Sequence, residues 1–127
     1  MQIRSAKDLI VYQKAYTLAM EVFSVSKSFP KEERYSLTDQ MRRSSRSVCA
    51  NLREAWAKRR YEAHFISKLT DADGEKAEPD TWIDFARSCE YLNTETHQKL
   101  TEQSVEVGKM PGSMLNNPKP FLLTSEI

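Results

Sequence analysis

Apolar residues recur three and four positions apart through most of the chain, and no stretch alternates apolar with polar residues as a half-buried strand does. From Asp8 to Lys27, the side chains of Tyr12, Ala15, Tyr16, Ala19, Val22 and Phe23 fall on one helical face, which predicts a first helix. Ser5, with Asp8 three residues later, has the pattern of a capping pair, and Ser28-Phe29-Pro30 closes the segment because proline disfavours helix at the residue before it. Ser36 with Asp39 repeats the capping pattern and opens a second helix, expected to run to about Trp56. Its inward stripe is Leu37, Met41, Val48, Leu52 and Ala55, with the small Ser44 and Ser45 between them allowing close helix approach.

A third helix begins near Tyr61 and carries Phe65, Ile66, Leu69, Ala72, Trp82, Ile83, Ala86 and Cys89. Gly74 and Pro79 both oppose regular helix in its middle; the proline ring should clash with the Glu75 carbonyl, so a kink or break is expected there. Asn93 is a good N-cap for a fourth helix through Leu100, Ser104 and Val107 towards Met110, its end weakened by Gly108, Pro111 and Gly112. Four amphipathic segments with short connections predict an all-α fold, an antiparallel up-down-up-down four-helix bundle over residues 1–115. Residues 116–127 form a C-terminal tail that is either loose or pinned through Phe121 and Leu122.

Composition adds limits to this picture. A chain of 127 residues with 39% hydrophobic residues is one ordinary domain with one core. No apolar run reaches the roughly 20 residues of a membrane span, and the N-terminus lacks the apolar centre of a signal peptide, so a cytoplasmic protein without membrane contact is expected. Cys49 and Cys89 are too few for a disulfide framework and are expected to be reduced and partly buried.

Charge changes the picture more. Residues 42–60 hold seven Arg or Lys against Glu54 alone, a balance of +6, whereas residues 1–41 carry +1 and residues 61–127 carry −6. On an ideal helix with Met41 at the centre of the inward face, Arg42, Arg46, Arg53 and Arg60 fall in a band about 100° to 140° away, a stripe about 27 Å long if the helix extends that far. Arg43 lies farther round, and Lys58 and Arg59 stand near the helix end. Guanidinium groups fork onto phosphate or carboxylate oxygens, and Trp56 and Tyr61 stand close enough in sequence to act as stacking partners, although Trp56 is better read as core rim or subunit contact. The candidate nucleic-acid-binding residues are therefore Arg42, Arg43, Arg46, Arg53, Lys58, Arg59 and Arg60. Two other readings compete: a solvated outer face, or a subunit interface with the acidic stretch Asp71–Asp84 of a neighbouring copy.

Catalytic and metal chemistry find little support. His64 and His97 are the only histidines, and neither shares ligand spacing with a Cys, Asp or Glu set. The sequence around Gly74 lacks the second glycine and the Lys-Ser/Thr ending of a phosphate-binding loop, and the run Asp71, Asp73, Glu75 has its glycine at the wrong place for a calcium loop. Asp80 and Asp84 share a helical face without a predicted pocket, which signals solvation. No catalytic residue, metal site or cofactor is expected, and the chain is not expected to be an enzyme.

The run FPKEERYSLTDQMRRSSRSVCANLREAWAKRR, with FISKLTDADGEKAE, TWIDFARSCEYL and VGKMPGSMLNNP, resembles the four-helix-bundle proteins encoded in intervening sequences of bacterial 23S ribosomal RNA genes. That group includes the accessory variability protein of diversity-generating retroelements. The resemblance extends from about Asp8 to Pro118 and implies an up-down bundle assembled as a homopentamer, with RNA or DNA as a partner. For a retroelement relative it also implies a reverse transcriptase as partner. Arg42, Arg43, Asn51, Leu52 and Glu54 match the family pattern, whereas Cys49 replaces a proline, Arg53 an alanine and Ala55 a glycine. Those three exchanges favour a more regular second helix and add a charge to the stripe. Pro79 and Pro111 stand where the pattern has helix-compatible residues.

Overall fold

The computed structural model describes residues 3–123, which form an all-helical bundle without strands among the described residues. The helices are α1 (Ile10–Ser26), α2 (Leu37–Ala57), α3 (Glu62–Glu75), α4 (Ala77–Ser88) and α5 (Thr94–Asn116), with single 3-10 turns at Ala6–Asp8, Lys31–Glu33 and Lys119–Phe121. Helix α2 packs on α1, α3 and α4, while α5 packs on α1, α3 and α4. The core they enclose is continuous, with Val22, Met41, Leu69, Ile83 and Leu100 fully buried and contributed by five different helices.

Several elements differ from the sequence expectation for identifiable reasons. The Asp8 carboxylate accepts from the N–H groups of Arg4 and Ser5, at 2.8 and 3.1 Å, but it organises the short turn before α1. Leu9 is extended, so α1 starts at Ile10 instead of Asp8. Ser36 does not cap α2, because its hydroxyl donates to the Glu33 carboxylate at 2.6 Å, and a charged acceptor outcompetes the helix terminus. Asn93 does cap its helix, its side-chain oxygen accepting from Thr96 N–H at 2.7 Å. In α1, Tyr16 is 54% exposed instead of inward, and Val11, Leu18 and Ser26 are buried in its place.

The predicted third helix is broken at Lys76 into α3 and α4. Lys76 retains helical angles, so the chain kinks there without turning back. Pro79 then sits in the first turn of α4, where its missing N–H would have no partner inside the helix in any case, and the expected clash with Glu75 does not arise. The fourth helix does not fade at Met110: α5 continues through Gly108, Pro111 and Gly112 to Asn116, with Pro111 and Met114 buried. Lys76 links the two irregular places, its ammonium donating to the Gly108 carbonyl at 2.5 Å in the turn that Pro111 loosens and lying 2.8 Å from Asp73. Phe121 and Leu122 pack against the core, which pins the tail as far as Leu123.

Candidate nucleic-acid interface

The regularity of α2 lets three of the predicted arginines share one flank, where α2 lies against α1. The Arg42 Nε–H donates to the Ser26 hydroxyl at 2.7 Å, and that hydroxyl donates onward to the Phe23 carbonyl. The Arg42 guanidinium stands 4.7 Å from the centre of the Phe23 ring, with Arg46 at 5.7 Å and the Lys27 ammonium at 4.8 Å from the same ring. Two turns along, Arg53 lies 5.9 Å from the Tyr12 ring. A ring face or a neutral hydroxyl orients a cation without cancelling its charge. Among the described residues, Lys27, Arg42, Arg46 and Arg53 form no ion pair with a carboxylate.

The opposite flank of α2 is neutralised. Glu54 and Lys68 pair at 2.9 Å, and Lys68 also lies 3.7 Å from Asp71. The hydrogen bond and charge of Lys68 lower the Glu54 carboxyl below its ordinary range and, reciprocally, Glu54 raises Lys68. Arg43 turns to this outer side and pairs with Asp39 at 3.7 Å. Of the acidic stretch expected to meet a neighbouring copy, Asp71, Asp73 and Asp84 have partners within the chain, the last being His97 at 2.9 Å.

The remaining predicted residues cluster at the end of α2. Because the helix stops at Ala57, Arg60 is not part of the stripe but lies in the following turn with Lys58 and Arg59. Arg59 covers the Trp56 ring at 3.9 Å and donates to the Trp56 carbonyl at 2.8 Å, so that face of the indole is occupied. Tyr61 is 60% exposed and packs edge-on against His64. Cys49 is half-buried, its thiol pushed up to about 11 by burial, whereas Cys89 is exposed and not partly buried as expected.

What α1 contributes was not visible in the reading of α2 alone. Beside the Arg53 end of the flank is a concave site of about 520 Å³ lined by Lys7, Tyr12, Gln13, Tyr16, Thr17 and Arg53. The signal that could have found it is the pair of tyrosines four apart, one ring turned in and one left out.

The chain matches the model of the 23S rRNA-intervening sequence protein family over residues 7–113. A solved structure with the same fold is a protein of unknown function from the S23 ribosomal protein family of Bacteroides thetaiotaomicron. It is 28% identical, with a TM-score of 0.78, and the match covers 87% of this chain and 99% of that one. No curated protein matches the chain.

Proposed function

The chain belongs to the 23S rRNA-intervening sequence protein family, and from that membership and the geometry of α2 we propose that it is a non-enzymatic, oligomeric binder of RNA or DNA backbone. The observation that carries this reading is the flank of Arg42, Arg46 and Arg53, three guanidiniums held in place by neutral or aromatic groups and left without carboxylates. Such a row meets phosphates and carries no sequence preference of its own. Lys58 and Arg60 extend the positive surface past the helix end, while Arg43, paired with Asp39, contributes less.

The up-down antiparallel arrangement and the homopentamer implied by the family resemblance complete the proposal. Exposed apolar side chains on two helices that pack together, Phe85 of α4 and Val105 of α5, support association between copies. Symmetry then repeats each basic flank, and individually weak contacts gain avidity.

The test is a fluorescence titration of labelled RNA and DNA at several salt concentrations, run beside a measurement of oligomer mass. Affinity should fall steeply with salt, and reversing Arg42, Arg46 and Arg53 to Glu should abolish binding with the oligomer intact. Loss of the oligomer in that variant would instead identify the flank as a subunit interface, and a folded oligomer that binds nothing at low salt would refute the proposal.

A further inference from the structure

The flank offers more than phosphate contacts, because one end of it carries an exposed aromatic ring. The Tyr12 ring is buried and has Arg53 beside it, whereas Tyr16, 6.2 Å away centre to centre, is 54% exposed at the edge of the concave site. Lys7 and Arg53 supply two cations to the same site, and Gln13 and Thr17 supply hydrogen-bonding groups. A volume of about 520 Å³ lies within the range of sites that hold a small organic group. Following the flank away from it, Arg53 and Arg46 are seven residues apart on α2, about 10.5 Å. Beyond Arg46 the three cations Lys27, Arg42 and Arg46 converge on the Phe23 ring.

Resting on the proposed nucleic-acid reading, we infer that the ligand is single-stranded, with one base stacked on Tyr16 in this site and the following phosphates passing over Arg53, Arg46 and Arg42. A duplex keeps its base faces covered and has no use for an open ring beside a concavity of this size. An unpaired strand can splay a base onto the ring while its backbone follows the cations. Stacking requires only a π-face, so the site selects strandedness without selecting sequence.

The experiment compares a labelled single-stranded RNA, its DNA counterpart, a duplex of equal length and a strand with abasic positions, using the full chain. The wild-type protein should bind both single strands more tightly than the duplex or the abasic strand. Tyr16→Ala should weaken single-strand binding about five- to a hundredfold while leaving duplex affinity and the salt dependence unchanged. Tyr16→Phe should restore it, since the ring is what stacks. The inference falls if Tyr16→Ala leaves single-strand affinity unaltered, or if the abasic strand binds as well as the intact one. In either case the backbone-binding reading survives provided that Arg46→Glu and Arg53→Glu still weaken binding. Absence of binding to every probe would overturn both.

Discussion

The contact between Lys76 and Gly108 joins the break between α3 and α4 to the proline turn of α5, and its removal has a calculable consequence. Lys76→Met keeps most of the aliphatic stem and deletes the ammonium. A hydrogen bond from a charged donor contributes about 1.5–3 kcal/mol. The ion pair with Asp73, with both side chains about one-third exposed at 33% and 32%, adds less than about 1 kcal/mol. The variant also leaves the buried Asp73 Oδ1 without its cation. A loss of about 2–3 kcal/mol follows, equivalent to about 8–12 °C in Tm at about 4 °C per kcal/mol for a domain of this size. Denaturant unfolding followed by circular dichroism measures it. A second substitution separates the contact from general damage. A Cβ on Gly108 would stand 3.2 Å from Lys76 Cδ, so the roughly 1 kcal/mol of helix propensity gained by Gly108→Ala is opposed by crowding. In a Lys76→Ala background the crowding is gone and the full gain should appear. Unaltered stability in Lys76→Met, or the same effect of Gly108→Ala in both backgrounds, would refute the coupling.

Two further outcomes test local features. Glu90 has φ 64° and occupies the left-handed position after α4, with its N–H donating to Arg87 O and the Tyr91 N–H to Ala86 O, a Schellman arrangement. Glu90→Gly should therefore raise Tm by about 2–5 °C, the relief of about 1–2 kcal/mol being partly offset by the greater freedom of glycine in the unfolded chain; a lowered Tm contradicts this. Tyr91 donates to Glu33 at 2.8 Å, which pushes the phenol up to about 12. Because the folded value lies above the unfolded one of about 10, the interaction contributes fully below about pH 10 and is lost as the pH rises towards 12. Ultraviolet titration of the five tyrosines should show a late step that Tyr91→Phe abolishes. Glu33 is lowered by Ser36 first and Tyr91 second, so its share is lost at the acid end, as the pH falls through the lowered carboxyl value.

The inward face of α2 was legible because helical periodicity and burial coincide there: Leu37, Met41, Ser44, Ser45, Val48, Leu52 and Ala55 are all buried. Helix α1 was less so, since its buried face spans a similar arc but is turned by about 40° from the predicted stripe, taking in Val11, Leu18 and Ser26 and leaving Tyr16 out. Ser36 shows why a capping pattern does not decide a cap, as the Glu33 carboxylate three residues earlier competes for the hydroxyl. The turn of α5 before Pro111 is met by a lysine 32 positions from Gly108 in sequence, a contact that no local pattern reveals. The candidate site was half visible for the same reason. A helical projection gives the angle of Arg42, Arg46 and Arg53, but the Phe23, Tyr12 and Ser26 groups that orient them belong to another helix.

Those orienting groups also bear on what the flank is for. Had burial of charge been the only requirement, α2 could have been neutralised on both sides, as it is where Glu54 meets Lys68. Instead Lys27, Arg42 and Arg46 surround one ring and repel one another at short range. A cation–π contact offsets about 0.5–1 kcal/mol of such repulsion at an exposed site, and it does so while leaving the outer side of each guanidinium open. Salt screens charges only beyond about 10 Å at 0.1 M, so this crowding persists in ordinary buffers. Like charges held close by uncharged groups lower their energy most when an anion settles among them. A bound phosphate would replace mutual repulsion with attraction, without rearranging side chains that Phe23, Tyr12 and Ser26 already hold.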